Sequence, residues 1–351
     1  MWSTLESAGR SAASVTSLLG IMTIGAVVIW LLVTLLALHA IRANRTRWSE
    51  RAGLRLIVGG GVALPLVVLS ALMVVGMPEL SRQLTASPSA MLRVHVSGEQ
   101  WWWRVRYEPA GAPPIELANE LRLPRGQAIE MVLTSVDVIH SFWVPSLAGK
   151  MDMIPGRVTR LVLEPERAGS FRGLCAEYCG ASHARMGFAV EVMEPAAFDA
   201  WLAAQARTAA AEDTEGSRAF LSSGCAACHA VRGTEAVASI GPDLTHVGSR
   251  ITLAGGALPN TIDDLQRFIT NPAAFKPGSL MPPFGAASKN SEPHRNTPPI
   301  ANAQKPNAES RGNGSSRAPS IAGRNRIDTD SKIGIANRNI ITEPCTVKIW
   351  L

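Results

Sequence analysis

Two long apolar runs, 18–40 and 54–77, open the chain, and neither shows a polar stripe. As a helix rising about 1.5 Å per residue, each reaches roughly 34 Å, enough to cross a bilayer core. A secretory leader has a shorter apolar core and a small-residue cleavage site, and a soluble helix of this length keeps a polar face. The pattern predicts a transmembrane hairpin over 18–78 behind an outer segment, 1–17. Arg42, Arg45, Arg47 and Arg51 lie in or beside the connection, against only Arg10 and Glu6 before the first run. The positive-inside bias then puts the connection in the cytoplasm and everything after Met77 outside. His39 reads as an interfacial residue, and Pro65 with Gly59, Gly60 and Gly61 as a bend or a close-packing surface for a neighbouring helix.

From Met91 to Glu194 the period changes. Short alternating or β-rich runs at 92–96, 101–107, 115–123, 128–135, 157–163 and 188–193 are separated by turn signals such as Pro113-Pro114 and Pro155-Gly156. This spacing predicts an all-β Greek-key sandwich or barrel of about a hundred residues within 91–204. From Ala196 to about Ala211 the chain reads as a closing helix running into an Ala-rich linker, 205–216. Residues 217–285 return to helix and loop as a small all-α domain, and 286–351 are polar and aperiodic, which predicts disorder.

Composition adds two constraints. The 351 residues are 46% hydrophobic and 5% aromatic, which suits a chain part membrane and part globular. The net charge of +6 comes mostly from the tail: 286–351 hold ten Lys/Arg against five Asp/Glu, leaving 24 against 23 elsewhere. A near-neutral body, and a basic tail without interleaved aromatics, speak against a nucleic-acid partner. Four of the five cysteines lie in two short motifs and only Cys345 is left over, so the thiols serve ligation rather than a disulfide framework.

The first motif, Cys175-Ala-Glu-Tyr-Cys179-Gly-Ala-Ser-His183-Ala-Arg-Met186, packs two thiols, an imidazole and a thioether into one loop. Two thiolates bridging two copper ions share one electron between the metals, so bond lengths change little on reduction. Soft sulfur with imidazole selects copper over hard cations. The Glu177 carbonyl, between the thiols, is a candidate weak ligand, and His140 in Val138-Ile139-His140-Ser141-Phe142 is the candidate for a remaining imidazole. Zinc is the main competitor, but zinc sites rarely use a thioether, and a mononuclear blue-copper site needs only one thiolate. His95 has no sulfur neighbours and is expected to bind nothing.

The second motif, Cys225-Ala-Ala-Cys228-His229, lets two thiols add to the haem vinyl groups while the adjacent imidazole takes the iron. Met281, in the Pro-bounded loop Lys276-Pro-Gly-Ser-Leu-Met-Pro-Pro283, is the candidate on the other side, with His246 as the alternative. A methionine ligand raises the haem potential, which suits a donor to copper.

With these segments in view, the chain resembles subunit II of the haem-copper cytochrome c oxidases. Gly98-Glu-Gln-Trp-Trp-Trp103, Thr134-Ser-Val-Asp-Val-Ile-His140-Ser, Val144-Pro-Ser-Leu147, Ile154-Pro-Gly-Arg157 and the Cys175–Met186 loop occur in the family's order across the outer β-domain. The resemblance implies a cupredoxin fold with the binuclear CuA centre, held by His140, Cys175, Glu177 through its carbonyl, Cys179, His183 and Met186. It further implies a magnesium ion reached by the Glu177 side chain at the boundary with the catalytic subunit, electron acceptance near Trp101, and a proton-channel role for an acid near the second helix, for which Glu50 is the candidate. Residues from Ile240 to His246 and from Asn271 to Pro282 resemble the class I cytochrome c module of the caa-type oxidases. Those modules close with a helix after the ligand methionine, packed near the position of Phe220, whereas here Phe284-Gly285 leads into the polar tail.

The reading that follows is an electron-accepting subunit of a bacterial inner-membrane oxidase, its copper and haem domains on the periplasmic side. It would draw electrons from cytochrome c or an upstream respiratory complex and pass them from haem c through CuA. The acceptor is a separate catalytic subunit I, where oxygen becomes water, since nothing here offers the membrane histidines that chemistry needs. The competing readings are a membrane-anchored copper and haem carrier assembled into no oxidase, and, more remotely, a quinol-linked subunit, whose relatives lack the copper ligands.

Overall fold

The computed structural model describes residues 6–42, 49–84, 92–209 and 214–284. The tail 286–351 with Cys345, residues 210–213 of the Ala-rich linker, and Arg45 and Arg47 lie outside the described residues.

Helix α1, Arg10–Arg42, and a second helical stretch are each long and apolar enough to cross a membrane. Ile21, Ile24, Val67 and Val74 stay exposed, as side chains facing lipid or another subunit would. The start of α1 differs from the sequence expectation, because the segment before the apolar run is not free. The Ala8 and Gly9 amides donate to the Ser146 carbonyl, and Arg10 pairs with Glu164 and Glu166. With Ser11 and Ala12 buried, these contacts nucleate the helix eight residues early. The second stretch starts as α2, Glu50–Val58, capped by the Ser49 hydroxyl, passes a π-turn at Gly59–Ala63 and continues as α3, Leu64–Leu84. The π-turn sits where Pro65 lacks an N–H, and the Leu64 amide reaches back to the Gly59 carbonyl, so the wider turn accommodates the proline.

The β-domain is a sandwich of two five-stranded sheets. One runs β3 (Ile115–Ala118), β2 (Trp102–Glu108), β1 (Leu92–Glu99), β5 (Ile129–Ser135), β8 (Thr159–Leu163). The other runs β4 (Glu120–Pro124), β10 (Gly187–Met193), β9 (Gly169–Cys175), β6 (His140–Trp143), β7 (Met151–Met153). The single run expected over 115–123 is two strands. Asn119, at φ 59°, turns the chain between the sheets, and its side chain accepts from the Trp103 amide. Such corners let one chain segment serve both layers. Trp103, Tyr107, Phe142 and Phe188 are fully buried, with Phe142 stacked on Phe188 at 5.1 Å. Each such ring contributes about 2–3 kcal/mol of transfer free energy on burial. Helix α4, Pro195–Ala206, closes the domain, laying Phe198 and Trp201 against Tyr107.

The third region is small and helical: α5 (Glu215–Ser222), α6 (Ile262–Thr270) and α7 (Pro272–Phe275), with a two-residue ladder between Thr252–Leu253 and Leu258–Pro259. Thr214 and Ser217 form a reciprocal capping box at the start of α5, so that helix is fixed at its first turn.

Candidate metal centre and haem site

Strand register builds the first site. In the β6–β9 ladder Phe142 pairs with Cys175, and the Ala176 amide continues it to the Ser141 carbonyl. His140 therefore lies beside the end of β9, where alternation has already turned Phe171, Gly173 and Cys175 inward. The β9–β10 hairpin then returns, with the Cys175 amide on the Met186 carbonyl, and the intervening loop folds over the sheet end.

The donors converge. Cys175 Sγ and Cys179 Sγ are 3.8 Å apart, far beyond the roughly 2.05 Å of a disulfide. Cys175 Sγ is 3.9 Å from His140 Nδ1 and 3.1 Å from the Glu177 carbonyl oxygen. Cys179 Sγ is 3.5 Å from His183 Nδ1 and 3.7 Å from Met186 Sδ. His140, Cys175, Cys179 and Met186 are buried and His183 is partly so. Two sulfurs central to imidazole, thioether and carbonyl donors fit a pair of soft metal ions, and His140, Cys175 and Cys179 alone already have ligand atoms within 4.8 Å of one another.

The electrostatics suit deprotonated sulfur. The hydrogen bond with Cys179, against the cost of burial and helped by His140, pulls the Cys175 thiol down, while the same interaction pushes the Cys179 thiol up. The pair thus shares one proton, which a metal would replace. Burial alone would push the His140 imidazole down, but hydrogen bonds with Asp137 and Cys175 outweigh it and lift the group to about 9.

Several positioning groups escaped the sequence reading. Asp137 Oδ1 is 2.8 Å from His140 Nε2, leaving Nδ1 toward the sulfurs, and its carboxylate also accepts from the Gln100 and Val138 amides. A carboxylate three residues before a candidate ligand histidine was the available signal. Gly98 lets the imidazole lie against β1, since a Cβ there would come within 2.7 Å of the ring. Trp101, placed in the strand-like run 101–107 by the sequence, lies outside the strand. The strand starts at Trp102, and Trp101 sits in the preceding turn, its indole N–H donating to the Cys179 carbonyl at 3.0 Å. Gln100 Nε2 donates to the same oxygen at 2.7 Å.

The Glu177 side chain turns away from the sulfurs, 3.8 Å from Lys150 Nζ. Glu50 occupies the first turn of α2, where a negative charge complements the helix N-terminus. His95 pairs with Glu108 on the sheet at 3.0 Å, and His39 is in the last turn of α1.

In the helical region Gly224, at φ 79°, turns the chain from α5 into a 3-10 turn, Cys225–Ala227, and the His229 amide bonds back to the Cys225 carbonyl. Neither Cys225 nor Cys228 is in a disulfide, and both are partly exposed. The Pro242 carbonyl accepts from His229 Nδ1 at 2.7 Å, which fixes the ring and leaves Nε2 for a metal. Burial holds this imidazole below its ordinary range, so it is a neutral donor. Gly241 lies so close that a Cβ would come within 2.6 Å of the ring. Leu221, Ile240 and Leu280, near these groups in sequence, are 43%, 70% and 88% exposed, apolar surface of the kind a haem would cover. Met281 sits in the loop after α7, its amide on the Ser279 hydroxyl, while His246 Nε2 is 3.0 Å from the Arg207 carbonyl.

Comparison with known proteins agrees with this division. Residues 108–193 match the family described as cytochrome C oxidase subunit II, periplasmic domain, and 214–292 match cytochrome c. A cytochrome c oxidase subunit 2 of Alkalihalophilus pseudofirmus is 37% identical over 197 residues, 54% of this chain and 55% of that protein. Its counterpart in Bacillus subtilis is 30% identical over 203 residues, 54% of this chain and 56% of that protein. The chain thus spans about half the length of these curated relatives. The crystal structure of the periplasmic domain of subunit II of cytochrome oxidase from Bradyrhizobium japonicum is 31% identical, covering 34% of this chain and 96% of that one, with a TM-score of 0.32.

Proposed function

Because the chain joins an oxidase subunit II periplasmic domain to a cytochrome c domain, we propose that it is the subunit through which electrons enter a haem-copper terminal oxidase. The observation that carries this is the convergence of Cys175, Cys179, His140, His183 and Met186 at one buried sheet end. In this reading those five side chains, with the Glu177 carbonyl, hold a binuclear copper centre, and Cys225, Cys228, His229 and Met281 hold a covalent haem c. When bound, the two groups would supply one-electron carriers.

The chain's own residues do the rest. The sandwich fixes the thiols before metal arrives, so reorganisation on electron transfer stays small. Asp137 orients His140, and Pro242 orients His229. The Trp101 indole, hydrogen-bonded to the carbonyl of a bridging cysteine, is the candidate acceptor of incoming electrons. Glu177, paired outward with Lys150, is available to a magnesium ion at the boundary with the catalytic subunit. Helices α1 to α3 anchor the subunit as a two-pass protein of the bacterial inner membrane, the Arg-rich connection inside and the redox domains outside. Other oxidase subunits then cover the exposed helix faces, and Glu50 would serve proton uptake.

The test is copper and iron content with optical and paramagnetic spectra of the purified protein. Two coppers with a mixed-valence signal, one haem, and co-isolation with a large haem-bearing membrane subunit are expected. Zinc in the thiol site would overturn the copper reading, and isolation without a partner would favour a carrier outside any oxidase.

A further inference from the structure

The Trp101 indole is wedged between two glycines from different domains. On one side Gly180 of the sulfur loop, at φ 116°, would bring a Cβ within 3.0 Å of the ring. On the other, Gly278 of the haem region, at φ 83°, would bring one within 2.6 Å of Cη2 and 2.8 Å of Cζ3. Two residues before Gly278, the Lys276 ammonium donates to the Trp101 carbonyl and is 5% exposed. Burial pushes it down to about 7, with the charge of the Cys179 sulfur opposing.

The contact extends along the loop. The Ser182 hydroxyl donates to the Pro277 carbonyl at 2.8 Å, Arg185 donates to the Ala274 and Phe275 carbonyls, and the Gly187 amide donates to the Gly255 carbonyl at 3.0 Å. On the far side Arg104 Nη2 donates to the Ser239 carbonyl at 2.7 Å and the Ile251 amide to Glu120 Oε2 at 2.8 Å. Ser182 and Arg185 belong to the loop that gathers the sulfurs, and the segment they grip runs on to Met281. A lysine stem and ammonium removed from water, placed on a main-chain oxygen of another domain, costs too much for an incidental contact.

We propose that residues 272–281 are a docking strap by which this chain's own haem domain caps Trp101, with Lys276 and Gly278 as positioning residues. The inference rests on the copper and haem reading above. The fused domain holds the face that a soluble carrier would use, so electrons reach the copper pair through the haem. One electron passes each time. A haem bound here would give up one electron and a bound copper pair would take it, with no bond or proton changing hands. The indole, held to the Cys179 carbonyl, gives a covalent and hydrogen-bonded link between strap and sulfur.

Oxidative footprinting of Trp101 by mass spectrometry, on the full-length metal-loaded protein, tests the capping directly. Lys276→Met keeps the stem but removes the donor, and Gly278→Ala places a methyl against the ring. Either variant should label Trp101 several-fold faster, and flash-initiated haem-to-copper transfer should slow relative to wild type. Haem absorption and copper content serve as the folding control, and the milder Gly278→Ala decides if Lys276→Met fails it. Equal labelling of Trp101 in wild type and a folded variant overturns the strap, whatever the metals do. Absence of the copper pair with Trp101 still protected would instead overturn the function proposed above and leave the strap standing.

Discussion

The β-domain and the haem region solve opposite problems. In the sandwich, the core of fully buried rings and aliphatic chains continues without a break into Cys175, Cys179 and Met186, so the donors belong to the hydrophobic core itself. Across 214–284 the buried apolar side chains among the described residues are few, Ala236, Leu253, Leu258 and Pro272, while Leu280 and Ile240 are largely exposed. One region builds a core and sets the candidate metal donors into it. The other presents thiols on a short turn with little core of its own, and in the proposed reading a haem would supply the apolar centre, as in small metallodomains.

Blocking haem attachment with Cys225→Ala and Cys228→Ala together should break this comparison most visibly. The haem region is expected to become fully sensitive to limited proteolysis while the sandwich resists, and chelating copper from the wild type should leave both protected. Loss of the sandwich on chelation would reverse the contrast. Next in size, Cys179→Ser should abolish the mixed-valence signal, because one sulfur cannot bridge two metals as two do, and an unchanged paramagnetic spectrum would remove the bridge from the account.

Smaller effects sharpen the picture. Gly173→Ala would place a Cβ within 1.9 Å of the Phe188 ring, so the core must shift. A destabilisation of about 1–3 kcal/mol is expected, read by denaturant titration of the intact protein. Asp137→Asn should leave the fold untouched and weaken copper binding by about tenfold, the low end for removing a partner that orients a ligand histidine. No change in affinity would mean that the Gly98 cradle alone orients His140.

Much of this was legible in the chain. The helical hairpin follows from apolar length, and the sulfur loop and the Cys225–His229 turn are local, their donors within a dozen residues. The alternation of 92–96 and 128–135 marked β1 and β5. Strands β6, β7 and β9 were not read, because three- and four-residue strands leave too short a period, and β9 carries two glycines that interrupt its apolar face. The break at Asn119 was hidden for a related reason: both halves are apolar, and only a left-handed residue between them tells that the chain changes sheets. The run expected over 101–107 included Trp101, but the strand starts one residue later.

Amino-acid order alone determined which chemistry is present, since thiols, imidazole and thioether at fixed short spacing are bound to lie near one another whatever the rest of the chain does. The tertiary structure alone decided that His140 meets them, that Asp137 steadies it, and that Lys276 reaches Trp101 across 175 positions. Those contacts depend on strand register and domain seating, where a slip of one residue turns every side chain to the opposite face.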